Sequence, residues 1–548
     1  MATRLPLVRR PNERCGPPLQ DGNSWPCDGS RQHEPFCVNQ CSGHGDCHMG
    51  YCRCHPEWYG HDCSRKKAGS DMEPGYLDGP AKRPWLERVT VTPPASLPTP
   101  PTPTRPRPLI YVYDLPPEYT SRIDSCMWRR YNDENTTILL GMTYGVEVMM
   151  HELMLQSEHR TFDPEEADFF YVPMYITCFM WPVLGFADFP WWHAPYAHNR
   201  PMHASNMITE VHEWLQQFPW WKRRGGRDHI WLMAHDEGAC SMPTAVYNSS
   251  IIFSHWGRLD PNHKSGTAYG QDKYGEPDDA LTVADLRKFS GWKGMDWWER
   301  SKGHPCYTPD KDLIIPAFKM PIHFKESPLL GSPPLVRDIL LYFRGDIGAG
   351  RLAHYSRGIR QKLFHLSHEG NWASKYGIYI GDGSTVVGSY SEHMARSKFC
   401  LVAPGDGWSP RAEDAILHGC IPLVIMDGVH AVFESILDWD AFSIRIRESA
   451  LEAVPQILTA VAPERLARMQ RNLVRVWHRF AYASGPVLQD EFRRLMADHQ
   501  QRRPAEVMAA SKLTLRETPY RPATAFPFQD DAFGTIMQWL FHRIEDTR

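Results

Sequence analysis

Short apolar runs alternate with longer stretches of helical periodicity over most of this chain. Residues 399–403 and 421–425 are brief runs with β-branched content bounded by Pro and Gly, and each reads as a buried strand. Between them Ser409 is placed to cap a helix, Pro410 suits its first position and Gly419 suits the residue just past its end. The predicted helix has about nine residues, enough for a crossover between parallel strands. Upstream, 110–113, 168–173 and 229–233 read as strands, with helices over 144–158 and 208–218. Val146, Met149, Met150, Leu153 and Met154 share one helical face. A second series has strands at 313–316 and 339–343 and helices at 356–365 and 390–398. It ends in a long helix over 463–482, where Arg465, Arg468, Arg471, Arg475 and Arg479 recur at three- or four-residue steps. Such alternation predicts an α/β protein with parallel sheets. The stretch 254–311 lacks regular pattern and is expected to form loops.

The length of 548 residues allows two or three domains. A formal net charge of −4 offers no bulk attraction for nucleic acid. Aromatic content is 12% and includes 20 Trp, residues that form the floors of sugar sites as well as cores. No apolar run reaches the length of a membrane span, and the first residues hold no signal-peptide core. Against that, Cys15, Cys27, Cys37, Cys41, Cys47, Cys52, Cys54 and Cys63 crowd the N-terminus, which implies an oxidising compartment. Two sequons, at Asn135 and Asn248, agree with export. The expectation is therefore a membrane anchor missing from this sequence.

Cys37, Cys41, Cys47, Cys52, Cys54 and Cys63 are spaced C-x3-C-x5-C-x4-C-x-C-x8-C, with a Ser42-Gly43-His44-Gly45 turn and a Trp58-Tyr59-Gly60 segment. The stretch resembles an EGF-like module. Sequence alone permits fifteen pairings of six cysteines. The resemblance implies Cys37 with Cys47, Cys41 with Cys52 and Cys54 with Cys63, and protein contact as the module's role. Cys15 and Cys27 are expected to pair just upstream, and the pairing of Cys126, Cys178, Cys240, Cys306, Cys400 and Cys420 stays open. Residues 93–108 are so rich in Pro that they read as a polyproline II spacer, holding the module roughly 50 Å from the remainder if fully extended. The organisation is then 1–36, an N-terminal segment; 37–63, the EGF-like module; 64–108, a linker; 109–311 and 312–482, two α/β domains; and 483–548, a tail with helices.

The candidate chemistry lies at strand ends. After 399–403 come Gly405 and Gly407, which let backbone approach a ligand, and a helix N-terminus that suits a diphosphate. Arg411 adds a cation, and Glu413 could reach a ribose hydroxyl; a solvated Arg–Glu surface pair is the bland alternative. Arg344 ends another apolar strand, before Gly345, Gly348 and Gly350, and reads as a diphosphate ligand or a structural ion pair. His235, Asp236 and Glu237 end the strand at 229–233.

This set of segments, LIYVYDLP at 109–116, ADFFYVPMY at 167–175, DHIWLMAHDEGAC at 228–240, DLIIP at 312–316, LYFRG at 341–345 and the stretch 399–425, resembles in its order the exostosin family of glycosyltransferases, family 47. The resemblance implies a GT-B-type pair of Rossmann-like domains, an acceptor half at 109–311 and a nucleotide-sugar half at 312–482. It further implies transfer with inversion from a nucleotide sugar, UDP-linked in this reading, to a polysaccharide or glycoprotein glycan in the Golgi lumen, with a type II anchor. Such transfer needs a base for the acceptor hydroxyl, for which Asp236 is favoured, with Glu237 and His235 as alternatives. Arg344, Gly405, Ser409, Arg411 and Glu413 would hold the donor.

No metal or other cofactor is expected. The pairs Asp310/Asp312 and Asp438/Asp440 have the D-x-D spacing of manganese-dependent transferases, but neither lies at a strand's end. The rival reading is a non-catalytic carbohydrate-binding or matrix protein.

Overall fold

The computed structural model describes residues 37–48, 51–67, 107–123, 127–131, 137–141, 143–179, 199–261, 297–351, 353–485, 488–489, 491–499 and 528–548. Asn135, Cys15, Cys27, Cys126 and most of the Pro-rich stretch lie outside these residues. The chain divides into two compact units, 1–173 and 174–548.

In the first unit a small antiparallel hairpin, β1 (Gly45–His48) with β2 (Tyr51–Cys54), carries the disulfide-rich module. Cys41–Cys52 and Cys54–Cys63 are bonded, and Cys37 is also in a disulfide. The α/β part of this unit is a parallel trio in which β3 (Ile110–Val112) lies between β4 (Arg160–Thr161) and β5 (Phe169–Val172). Helix α1 (Val146–Gln156) connects β3 to β4 and buries Val146, Met149, Met150, Leu153 and Met154, the face its spacing defined.

The module is not held away from this trio, contrary to the extended-spacer expectation. Arg160 Nη1 donates to Asp62 Oδ2 at 2.6 Å, with both side chains at most 3% exposed. Arg160 Nη2 reaches Ser64 Oγ, and Asn39 Nδ2 donates both to Asp62 and to the Leu155 carbonyl that ends α1. Arg65 reaches the Val112 carbonyl and the Tyr111 hydroxyl on β3. A buried, hydrogen-bonded ion pair tolerates little displacement, because separating its members leaves a charge in low dielectric. A proline-rich connection sets the maximum reach of a segment and leaves its minimum open.

In the second unit, α2 (Asn199–Leu215) precedes a parallel trio, β6 (His229–Met233), β7 (Ile251–Ser254) and β8 (Leu313–Ile314). The second sheet is five-stranded and wholly parallel: β9 (Ile339–Arg344), β10 (Ile378–Gly381), β11 (Ser397–Val402), β12 (Ile421–Val424) and β13 (Ile444–Arg445). Its spatial order is β10-β9-β11-β12-β13. The direction of winding therefore reverses between β9 and β11. One face packs Leu341, Phe343, Phe399, Leu401, Leu423 and Ile425 against α3 (Ile359–Glu369), and the other packs Tyr342 and Cys400 against α4 (Tyr390–Arg396) and α5 (Arg411–Leu417). The Cys400–Cys420 disulfide spans the crossover through α5, and Cys240–Cys306 ties two connections of the preceding trio.

These strands and helices form the α/β class the patterning predicts. The basic helix is shorter than expected: α6 runs Pro463–Leu473, then the chain turns through 3-10 geometry at Trp477–Phe480, where Arg479 is tied to Thr535 and Gln538 of α7 (Ala532–Thr547). Within 254–311, a stretch read as loops, Gly257–Arg258 pairs antiparallel with Val429–His430.

Candidate active site at a topological switch point

In an open parallel sheet, the crevice outside the carboxyl ends of the strands at the point of reversal is where ligands bind. Here that point is flanked by Arg344, which ends β9, and by the turn after β11 that holds Gly405 and Trp408. Arg360, buried on α3, spans the two strand ends. Its Nη1 donates to the Asp346 carbonyl and the Tyr355 hydroxyl, and its Nη2 to the Ala403 carbonyl and Ser409 Oγ at 3.1 Å. Burial holds Arg360 down to a pKa of about 10, so it stays charged at neutral pH.

Arg411 occupies the first turn of α5. Its Nη1 donates to the Tyr390 hydroxyl at 2.8 Å and to Asp414 Oδ2 at 3.1 Å. Among the described residues its buried Nε has no partner. Gly345 has no side chain for a reason visible here: a Cβ would run into the Arg411 guanidinium. Arg344 and Arg411 each lie 5.4 Å from the centre of the Tyr390 ring, so one aromatic ring supports both cations. Arg344 Nη1 donates to the Gly388 carbonyl at 2.6 Å. Three guanidiniums thus converge at the switch point.

The carboxylates of α5 divide differently from the expectation. Glu413 is buried, and its Oε1 accepts from the Ala317 amide at 2.7 Å. Its Oε2 is buried without a partner among the described residues, and burial pushes the carboxyl up to a pKa of about 7. Asp414 is the ion-paired residue, meeting Lys319 Nζ at 2.7 Å as well as Arg411. Burial alone would raise its pKa, but Lys319 and then Arg411 more than offset that and hold it well below the usual carboxylate range. Two adjacent helical positions differ by about 100° in direction, so Glu413 meets the backbone of the incoming 316–319 segment at Ala317, while Asp414 meets Lys319 of the same segment and Arg411.

Ser409 does not cap α5. Its hydroxyl accepts from Arg360, while Pro410 sits at the cap position with no side-chain hydrogen bond. Gly405 has room for a Cβ, and its amide donates to the Gly407 carbonyl. Gly407 is required by a close approach, but to protein: a Cβ there would overlap the Asp236 carbonyl. Gly419 lies past the end of α5 with φ +68, the left-handed conformation its position predicts.

Asp236 follows the carboxyl end of β6 and is partly exposed, whereas His235 and Glu237 are buried. The Trp408 amide donates to the Asp236 carbonyl at 2.9 Å, so the β6 strand end and the β11 turn meet at this residue. His255, just past β7, closes the same junction. Its ring lies 4.4 Å from Trp408, and its Nδ1 is 2.9 Å from the Ile315 carbonyl. A carbonyl only accepts, so Nδ1 carries the proton, and burial lowers the imidazole to a pKa of about 4. Sequence reasoning missed His255, Arg360, Lys319 and Tyr390. The signal for His255 was a lone polar residue directly after the buried run Ile251–Ser254.

Of the D-x-D residues, Asp312 is held by other groups. Asp312 is buried and accepts from the amides of Ile252 and Thr308, the Tyr247 hydroxyl and Lys311. Asp438 and Asp440 are exposed beside a 3-10 turn. Among the described residues, the group with ligand-like spacing is Cys37, Cys41 and Cys52, which are disulfide cysteines. Asn248 is exposed near the end of a short helix, Thr244–Ser249.

Residues 104–461 match the model of the exostosin GT47 domain, and residues 37–66 match a Teneurin-like EGF domain. A probable glucuronoxylan glucuronosyltransferase of Arabidopsis thaliana is 27% identical over 375 residues, covering 66% of each chain. A probable glucuronosyltransferase of Oryza sativa subsp. japonica is 29% identical over 372 residues, 66% of this chain and 70% of that one. The matched region thus spans about two thirds of the length of these relatives. A solved structure, the crystal structure of TarM, aligns with 58% of this chain and 58% of that one at 8% identity and a TM-score of 0.22, too low to carry an argument. With nearly two thirds of its length inside the domain match, the chain belongs to the exostosin GT47 family of glycosyltransferases.

Proposed function

We propose that this protein transfers a sugar from a UDP-linked donor to a polysaccharide or glycoprotein glycan, with inversion at the anomeric carbon. The relatives' names favour a glucuronosyl group. The observation that carries the reading is the convergence of Arg344, Arg360 and Arg411 where the sheet reverses, with the backbone of Asp236 bonded to the adjoining turn at Trp408. Cations held in place on aromatic faces stabilise a departing diphosphate without rearranging as charge develops. Asp236 takes the acceptor hydroxyl's proton as that oxygen attacks the anomeric carbon and the sugar–phosphate bond breaks. Arg344 and Arg411 hold the diphosphate, and Arg360 with Ser409 shapes the turn carrying Gly405. Glu413 supports the ribose side through the segment it clamps. No metal takes part in this scheme.

The setting proposed is the Golgi lumen. Among the described residues no helix is long and apolar enough to cross a membrane.

The test is protection from heat by a panel of nucleotide sugars, followed by transfer assays with the protecting donor and assignment of the product's anomeric configuration. UDP-glucuronic acid is expected to protect wild type, and Arg344→Ala to lose that protection while folding normally. A panel in which no nucleotide sugar protects, or a product of retained configuration, would overturn the reading. Chelator should leave transfer unchanged; loss restored by manganese would reject the metal-free scheme.

A further inference from the structure

Helix α6 (Pro463–Leu473) lies on the face of the second sheet opposite α5. Met469 belongs to the cluster with Leu423 and Ile425, and Leu466 packs against that cluster, whereas Ala415 of α5 sits in the cluster on the other face. Buried Met469, Gln470 and Leu473 define the inward side of the helix. At about 100° per residue, Arg468, Arg471 and, in the turn that follows, Arg475 fall on the side directly away from it, with Arg465 at its flank. All four arginines are exposed. Among the described residues none of their guanidiniums is engaged by a carboxylate or hydrogen bond, whereas Arg160, Arg351, Arg396 and Arg445 are ion-paired. Glu464, in the first turn, is the acidic residue nearest in sequence.

We propose that this arginine stripe is a second glycan-contact surface, one that holds an extended acidic polysaccharide away from the transfer site. The inference rests on the reading above that a glucuronosyl group is transferred, which makes the product glycan acidic, and it adds the surface and its ligand. From Arg465 to Arg475 the stripe runs about 15 Å, long enough for several sugars of a polymer and too long for a single one. Every cation in it is arginine, whose planar fork pairs with carboxylates through two parallel hydrogen bonds. A lipid surface is the less suitable partner. A helix that enters a membrane interface needs an apolar face to insert, and the apolar face of α6 is already buried on the sheet. Its outward side has no aromatic or aliphatic residue larger than Ala467.

The experiment uses the full chain and a variant combining Arg468→Gln, Arg471→Gln and Arg475→Gln. Binding is measured to a polyuronate, to neutral xylan and to phosphatidylserine vesicles, at low and at physiological salt. Wild type is expected to bind the polyuronate in preference to xylan and to weaken as salt rises. The variant should lose roughly tenfold or more of that affinity, while its heat protection by the donor and its transfer to a short acceptor stay unchanged. Replacing the same residues by Lys should recover part of the binding. Equal polyuronate affinity in variant and wild type, equal binding of xylan, or tighter arginine-dependent binding to vesicles would each overturn the proposal. Because polymer binding is read without turnover, a failure of the donor panel would leave this result separately legible.

Discussion

Two groups of strand ends, those of β9 and β11 and that of β6, meet at the proposed active site, and they are built on different electrostatic plans. At the carboxyl ends of β9 and β11 the protein concentrates cations, with Arg344, Arg360 and Arg411 set on Phe343, Tyr355 and Tyr390 rings and Arg411 paired with Asp414. At the end of β6 there is no such concentration. Asp236 is partly exposed, and His255, which meets the same Trp408, is kept uncharged at neutral pH by burial. The difference teaches what each side is suited for. Preorganised cations suit a group that arrives and leaves as an anion, and an accessible carboxylate suits a group that must give up a proton.

The largest effect that would break this comparison comes from the sparse side. Asp236→Asn keeps the size of the side chain and leaves the carbonyl that binds the Trp408 amide in place. Turnover is expected to fall about 10²- to 10⁴-fold with donor protection intact. Near-normal turnover would move the base elsewhere. On the crowded side, Lys319→Ala removes the principal partner of a buried carboxylate, and a stability loss of about 3 kcal/mol is expected in denaturant unfolding. A change within error would mean that Arg411 and Tyr390 suffice to neutralise Asp414.

The smallest effect concerns pH and sharpens the division between the two α5 carboxylates. The folded-state pKa of Glu413 is raised from 4.5 to about 7, so folding favours its protonated form. Relative to Glu413→Gln, wild type is therefore undisturbed below pH 4.5 and loses stability as pH rises toward 7, by roughly 3 kcal/mol at most. Above that the difference is flat. Parallel stability–pH curves for the two proteins would show that Glu413 is ionised without cost. Asp414, held low, should produce the opposite trend, with a contribution that is full above its ordinary value of 3.8 and is lost as pH falls below it.

Legibility followed the range of the interactions involved. The strands at 229–233, 339–343 and 399–403, the crossover between 403 and 421 and the left-handed glycine at 419 all follow from local periodicity and turn chemistry, and all are present. Arg344 and Arg411 were findable because they stand at strand and helix ends. Arg360 and Lys319 were not, since a mid-helix arginine and a loop lysine have no local signature. The same limit applies to the module at 37–63. Its cysteine spacing marks it as a unit, but its seat against α1 and β3 rests on Asp62, Arg65 and Arg160, which are distant in sequence from their partners.

The order of apolar runs, glycines and cysteines along this chain was sufficient by itself to specify parallel α/β architecture, a disulfide-bonded module and the turns where chemistry is placed. Tertiary structure alone decided which of two neighbouring carboxylates meets the cations, which glycine admits a carbonyl instead of a ligand, and which arginines are left facing solvent. The physical reason is that periodicity fixes whether a side chain points toward a core, whereas ion pairing and close approach depend on what another element brings to the same place.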